Sequence, residues 1–214
     1  MKRIAGLLAI ASLALWSGAV GAQSSAYDQS WYRSEGWGGE YPNGFTLAQD
    51  VTVDIRKEPA PKAAADISCQ MRKGATYHPW NQARTTADQL QFLTFTKIEP
   101  YRVNKTFTAE ISDQAGQSRT LNLPAGTTWD YLANLAEGSF LFRYQGETYV
   151  GGQDMFEQSA STAPDTDIDP DEWLGLRCAN GTTGWLLLRD VADRPGFDDP
   201  NIMDYGQASD ATAK

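Results

Sequence analysis

Trp173-Leu174-Gly175-Leu176-Arg177-Cys178-Ala179-Asn180-Gly181-Thr182-Thr183-Gly184-Trp185-Leu186-Leu187-Leu188 is the stretch whose reading decides the fold. Leu174, Leu176 and Cys178 alternate with Gly175, Arg177 and Ala179, the two-residue period of a strand with one buried face. Asn180-Gly181 predicts a two-residue turn, because both residues tolerate the positive φ that such a turn needs. A returning strand opens at Gly184-Trp185 and continues through three leucines. The stretch therefore reads as a β-hairpin with a tryptophan near each end and a cysteine on its inner face.

The only other cysteine is Cys69. Whether the two pair depends on the compartment, and the first residues address that. Lys2 and Arg3 form a basic start, Ile4 to Leu15 is an apolar run, and Val20-Gly21-Ala22 supplies the small side chains that a signal peptidase requires. The run is too short and too rich in Gly, Ala and Ser for a membrane span. Residues 1–22 read as a cleaved secretory signal, which puts the product in the periplasm or outside the cell. In that oxidising setting Cys69 and Cys178 are expected to form one disulfide. Free thiols acting in catalysis or metal binding lack partners, since His78 is the one histidine and no second cysteine lies near either. No cofactor or metal is expected.

Without the signal about 190 residues remain, enough for one elaborated domain or two small ones. The formal charge of −9 disfavours nucleic acid, whose phosphates need a basic footprint, and anionic lipid alike. No later stretch is apolar enough to span a bilayer. The early mature residues, 23–48, are rich in Gly and aromatics (Tyr27, Trp31, Tyr32, Trp37, Tyr41, Phe45) without sustained periodicity, and read as an irregular arm lying across the domain.

Two further strands precede the long middle. Val51, Val53 and Ile55 alternate with polar residues before Pro59 and Pro61; Ile67, Cys69 and Met71 alternate before Lys73-Gly74. Residues 51–74, together with Trp173, Asn180-Gly181, Gly184-Trp185 and Asp190-Val191, resemble the bacterial SH3-like (Src-homology-three) domain of exported proteins. That family opens with a strand ending in an apolar residue and Arg, a Pro-containing loop and a strand ending in Lys-Gly. It closes with a strand from Trp, a polar turn and Gly-Trp. The resemblance covers residues 51–74 and 173–191 and implies a small β-barrel and ligands of the cell-envelope kind.

About a hundred residues separate the two blocks, more than the family's usual middle. They are strand-rich: Phe107, Ala109 and Ile111 alternate before a turn at Asp113 to Gly116, and Phe140, Phe142 and Tyr144 alternate before a hairpin at Gln145-Gly146. Thr128 to Glu137 reads as a strand or a short helix, and Thr86 to Leu93 as one helical turn with Thr86 and Gln89 as a capping box. The fold class is thus mainly β. Either two SH3-like units interlock, which is preferred, or one barrel carries a large β-rich insertion. The organisation expected is a first SH3-like part over 49–104, a second unit or insertion over 105–158, an acidic loop over 159–172, the closing hairpin over 173–191 and a flexible acidic tail over 192–214.

In the acidic loop, Asp165, Asp167, Asp169 and Asp171 fall at every second position, like the first half of a calcium loop. Pro170 stands where the loop's glycine is required and Leu176 where its final Glu is required, so a solvated loop is the better reading. His78, in Tyr77-His78-Pro79-Trp80, reads as a structural histidine in a turn rather than a general base. No nucleophile elbow, phosphate loop or zinc helix occurs, and no pair of the 27 acidic residues is singled out for glycosidase chemistry. Trp173 and Trp185 read as core. Tyr77, His78, Trp80, Trp129 and Tyr131 lie near turns, where rings can stack on sugars or peptides, with core filling an equal alternative. The expectation is an exported, non-catalytic binding or scaffolding module that takes peptidoglycan peptides or an envelope protein. The alternatives are an inhibitor or accessory subunit of an envelope hydrolase, and a carboxylate-based cell-wall hydrolase.

Overall fold

A computed structural model describes residues 27–35, 43–79, 85–113, 115–136, 138–164 and 168–200. The signal expected over 1–22, the arm residues Trp37 and Tyr41, the candidate Trp80, Asp165 and Asp167 of the acidic loop, and residues 201–214 of the tail lie outside the described residues.

Along the chain come β1 (Trp31–Glu35), β2 (Phe45–Leu47), β3 (Val51–Arg56), β4 (Ala65–Met71), β5 (Thr76–Tyr77) and β6 (Gln89–Lys97). Then follow β7 (Glu99–Val103), β8 (Phe107–Asp113), β9 (Ser118–Leu123), β10 (Thr128–Ala136), β11 (Ser139–Tyr144), β12 (Glu147–Gly151), the one-turn helix α1 (Asp154–Glu157) and β13 (Ser159–Ser161). The chain closes with β14 (Asp171–Arg177), β15 (Thr183–Leu187), a 3-10 turn over Leu188–Asp190 and β16 (Phe197–Asp198). The fold is mainly β, with curled sheets and a half-barrel.

The hairpin that decides the fold is β14 and β15, with Trp173 opposite Leu187 and Arg177 opposite Thr183. Its turn is not the two-residue one expected. The Cys178 N–H donates to the Thr182 carbonyl and the Gly181 N–H to the Cys178 carbonyl, so Ala179, Asn180 and Gly181 form a three-residue loop. Gly181 alone takes positive φ, +85°, while the Asn180 carboxamide accepts the Thr182 N–H at 3.0 Å. A turn followed by a left-handed glycine is the next most common hairpin closure. At Gln145 (φ 52°) and Gly146 (φ 88°) the two-residue turn does occur, joining β11 to β12.

Among the described residues all strand pairs are antiparallel. The first sheet has the order β1-β6-β14-β15-β3-β4, and a small sheet, β16-β2-β5, packs with it. Val53, Ile55, Cys69, Leu174, Leu176 and Leu186 from the large sheet meet Phe45, Leu47 and Tyr77 from the small one in a single core. Cys69 and Cys178 are joined there, Cα to Cα 5.2 Å, and the Ala179 N–H donates to the Gln70 carbonyl beside them at 2.9 Å. The two blocks of sequence, 51–74 and 173–191, therefore share one sheet and one core. Gly184 lets them approach: a Cβ there would lie 2.6 Å from Ile55 Cδ1 and 2.7 Å from the Arg56 carbonyl oxygen.

On the opposite face of the same sheet Trp173 and Leu187 pack with Leu93, Phe95 and Tyr27. Tyr27 stacks on Phe95 at 3.8 Å, its hydroxyl donates to Asp171 Oδ2 at 2.6 Å, and Trp173 Nε1–H donates to the Tyr27 oxygen at 2.7 Å. Arg189 completes the group with an ion pair to Asp171 Oδ1 at 2.6 Å. Trp173 is fully buried; Trp185, expected in the core as well, is half-buried at the edge of this cluster.

The strand-rich middle is nested within the first unit. The chain leaves the first sheet after β6, builds the seven-stranded sheet β13-β7-β10-β11-β12-β8-β9, and returns at β14. This sheet has its own core of Trp129, Phe140, Phe142, Ala109, Leu123 and Met155, the last carried by α1. Its first strand starts at Glu99 rather than near Lys105, because Pro100 and Tyr101 pair with Asp130 and Trp129 of β10.

Four other expectations are corrected. The arm over 23–48 is not wholly irregular, since β1 pairs along its length with β6 and β2 pairs with β5 and β16. Residues 86–93 form a turn and the start of β6 instead of a helical turn; the Thr86 hydroxyl accepts the Thr76 N–H rather than capping. The loop expected over 159–172 begins with β13 and ends inside β14, whereas of the two readings open for the stretch from Thr128 the strand is the one formed, over Thr128–Ala136. The first part of the expected flexible tail is held in place, because Phe197 packs on the first core and pairs with Leu47.

Candidate functional site

Two of the concavities among the described residues, one on each unit, bring polar and aromatic side chains together. The first lies on the nested sheet. Strand register sets its floor: Trp129 is opposite Tyr101 and Tyr131 opposite Glu99, so these four side chains stand on one face of β7 and β10. Tyr101 lies flat on Trp129, ring centroids 4.6 Å apart and planes 10° off parallel. Phe140 of β11 packs on Phe156 of α1 at 4.4 Å, and both approach Tyr131 at 5.6 and 6.0 Å. The result is a groove of about 470 Å³ with ring walls and with Glu99, Asn134 and Gln153 as its polar members. Burial, reinforced by the Glu99 charge, holds the Tyr101 phenol up to about 12 and pushes Tyr131 upward as well. Both phenols therefore stay protonated at neutral pH, and the Tyr101 hydroxyl donates to the Glu99 carboxylate.

The second concavity, also about 470 Å³, lies between β2, the start of β14 and the segment after the 3-10 turn, with Asn43, Glu172, Arg189, Asp193 and Asp198 in its lining. Glu172 is its chemically distinctive group. Burial pushes this carboxyl up to about 7; the Asn43 carboxamide, 2.5 Å away, opposes the shift and the Asp169 charge adds to it. Among the described residues no cluster of three or more His, Cys, Asp or Glu side chains is arranged to hold a metal ion.

The residues singled out from the sequence do not form one site. Tyr77 is 2% exposed and belongs to the first core, with burial raising its phenol to about 12. His78 is 1% exposed; Gln89 clamps its backbone N–H and carbonyl at 3.0 and 2.8 Å, and burial lowers its imidazole below the usual range. Trp129 is 1% exposed under the groove, where its Nε1–H donates to the Ser159 hydroxyl at 3.0 Å. None of these three offers a ring face to a ligand. Tyr131 does, and the structure surrounds it with Tyr101, Phe156 and Glu99, which the sequence reading missed. Their signal was present as a pair of alternations, Glu99-Pro100-Tyr101 and Trp129-Asp130-Tyr131, but which face each would present depends on register.

No protein-family profile, curated protein or solved structure matches the chain. Among the described residues no helix is long and apolar enough to cross a membrane.

Proposed function

We propose that this chain is an exported, non-catalytic binding module of the bacterial cell envelope, built on an SH3-like half-barrel, that holds a wall peptide in the groove between β7, β10, β11 and α1. The observation that carries the reading is the groove itself: four rings with a carboxylate and two carboxamides on their rim. Rings give contact area at low conformational cost, and a few polar groups among them fix orientation. The buried disulfide supports export, since such bonds persist in oxidising compartments. Pelleting with purified sacculi tests it: wild type is expected in the pellet, and the folded double variant Tyr131→Ala/Phe156→Ala in the supernatant. Equal pelleting of both overturns the groove as the site, and capture of a single periplasmic protein without pelleting favours an inhibitor or accessory subunit.

Glu172 supports a second reading, a carboxylate-based wall hydrolase. A carboxyl held near 7 retains a proton for a leaving group at neutral pH. Release of soluble muropeptides that Glu172→Gln abolishes would establish it; no release by wild type excludes it.

A further inference from the structure

We infer that the groove on the nested sheet is an amine pocket, in which Glu99 is the counter-charge and Tyr101, Tyr131 and Phe156 are the walls for a primary ammonium group carried by a bound peptide. The inference rests on the reading of this groove as the ligand site and adds the chemistry of what enters it.

Glu99 is the starting point. It sits directly opposite Tyr131 in the β7–β10 ladder and two residues before Tyr101 on the same face, so its charge acts on both phenols. It is only partly exposed, and among the described lining residues there is no Lys or Arg to neutralise it. Its carboxylate accepts a hydrogen bond from the Tyr101 side chain but has no cation in the groove, and a ligand ammonium would supply one. The walls favour the same occupant, because ring faces carry negative potential and attract ammonium groups lying over them. Gln153, exposed at the rim, adds a carboxamide oxygen that can accept an N–H donor. That selects a primary ammonium over a quaternary one, which has no N–H to give. It also argues against a carboxylate or phosphate ligand, which would face Glu99 directly. The formal charge of −9 draws cations toward the whole surface and repels anions.

The test is a titration of the full exported chain followed by NMR, with Nα-acetyl-lysine amide as the probe, its Nε-acetylated derivative as the neutral counterpart and tetramethylammonium as the quaternary control. The expected result is that the amine shifts the groove resonances and that acetylation weakens binding by about tenfold, the scale of a charge-assisted contact with ring support. Tetramethylammonium is expected to bind more weakly than the primary amine. Glu99→Gln, which keeps the shape and removes the charge, is expected to erase the preference for the amine over its acetylated form. If that variant does not fold, the comparison of the three probes on wild type decides by itself. Equal binding of amine and acetylated probes, or a preference unchanged in Glu99→Gln, overturns the inference. Groove shifts with neutral wall peptides but no amine preference would leave the binding function standing while this inference fails. If neither amines nor wall peptides move any groove resonance, both fall.

Discussion

Breaking the link between Cys69 and Cys178 is the perturbation with the most calculable consequence. The bond joins residues 109 apart in sequence. In the chain-entropy treatment, opening a loop of that size returns about 16 cal/mol/K to the unfolded chain, a destabilisation of about 4.8 kcal/mol at 25 °C. Domains are stable by roughly 5–15 kcal/mol, so the bond supplies a third or more of the total. The geometry gives the loss a location as well. Cys69 lies on β4 and Cys178 just after β14, strands at non-adjacent positions in the first sheet, and both sulfurs are buried in its core. The nested sheet between them keeps its own core of Trp129, Phe140 and Phe142 and does not contain the bond. Urea unfolding of oxidised protein, of reduced protein and of the Cys69→Ala/Cys178→Ala variant, followed by tryptophan fluorescence and near-ultraviolet circular dichroism, reads the effect. Reduction retains both sulfur atoms, so the difference between reduced protein and the alanine variant isolates the packing lost with them. The expected loss on reduction is about 4–5 kcal/mol. Oxidised and reduced forms within about 1 kcal/mol of one another, inside the error of such extrapolations, would refute the reasoning.

Tyr27→Phe removes the hydroxyl that accepts from Trp173 and donates to Asp171, leaving a buried indole N–H unpaired; thermal melts should show a loss of about 1–3 kcal/mol. Gly184→Ala drives a methyl into Ile55 and the Arg56 carbonyl, and chemical denaturation should report a loss of about 1–3 kcal/mol or more from overpacking. Glu172 binds its proton more tightly in the folded chain, at about 7, than at the ordinary 4.5. Its contribution is therefore fully present below pH 4.5 and lost as pH rises through 7, on the order of 2–3 kcal/mol, and denaturant midpoints against pH should show that slope flattened in Glu172→Gln.

Much of the first unit was legible because its signals are local. Val51 to Ile55, Ile67 to Met71 and Leu174 to Cys178 alternate strictly, and every residue on the apolar side of those alternations is buried or partly buried in one core. The disulfide followed from there being two cysteines and an expected export signal. What could not be read depends on partners far along the chain. Trp31 to Glu35 has no clear alternation, and it becomes strand because β6 offers it an edge to pair with. Thr86 and Gln89 match a cap by spacing, yet their hydrogen bonds go to Thr76 and His78. Trp129 and Tyr131 both sit near turns, and burial separates them: one is covered by Tyr101 and Phe156 while the other stays open. Glu99, Tyr101 and Phe156 come from a strand and a one-turn helix more than fifty residues apart, so no window of sequence contains the groove.

Amide chemical-shift mapping of the protein, titrated with soluble muropeptides, asks most directly whether the groove is the binding site proposed for it. Shifts gathered on Glu99, Tyr101, Tyr131 and Phe156 are the expected result. Shifts confined to the cleft around Glu172 and Asn43, or no shifts at saturating muropeptide, would contradict it.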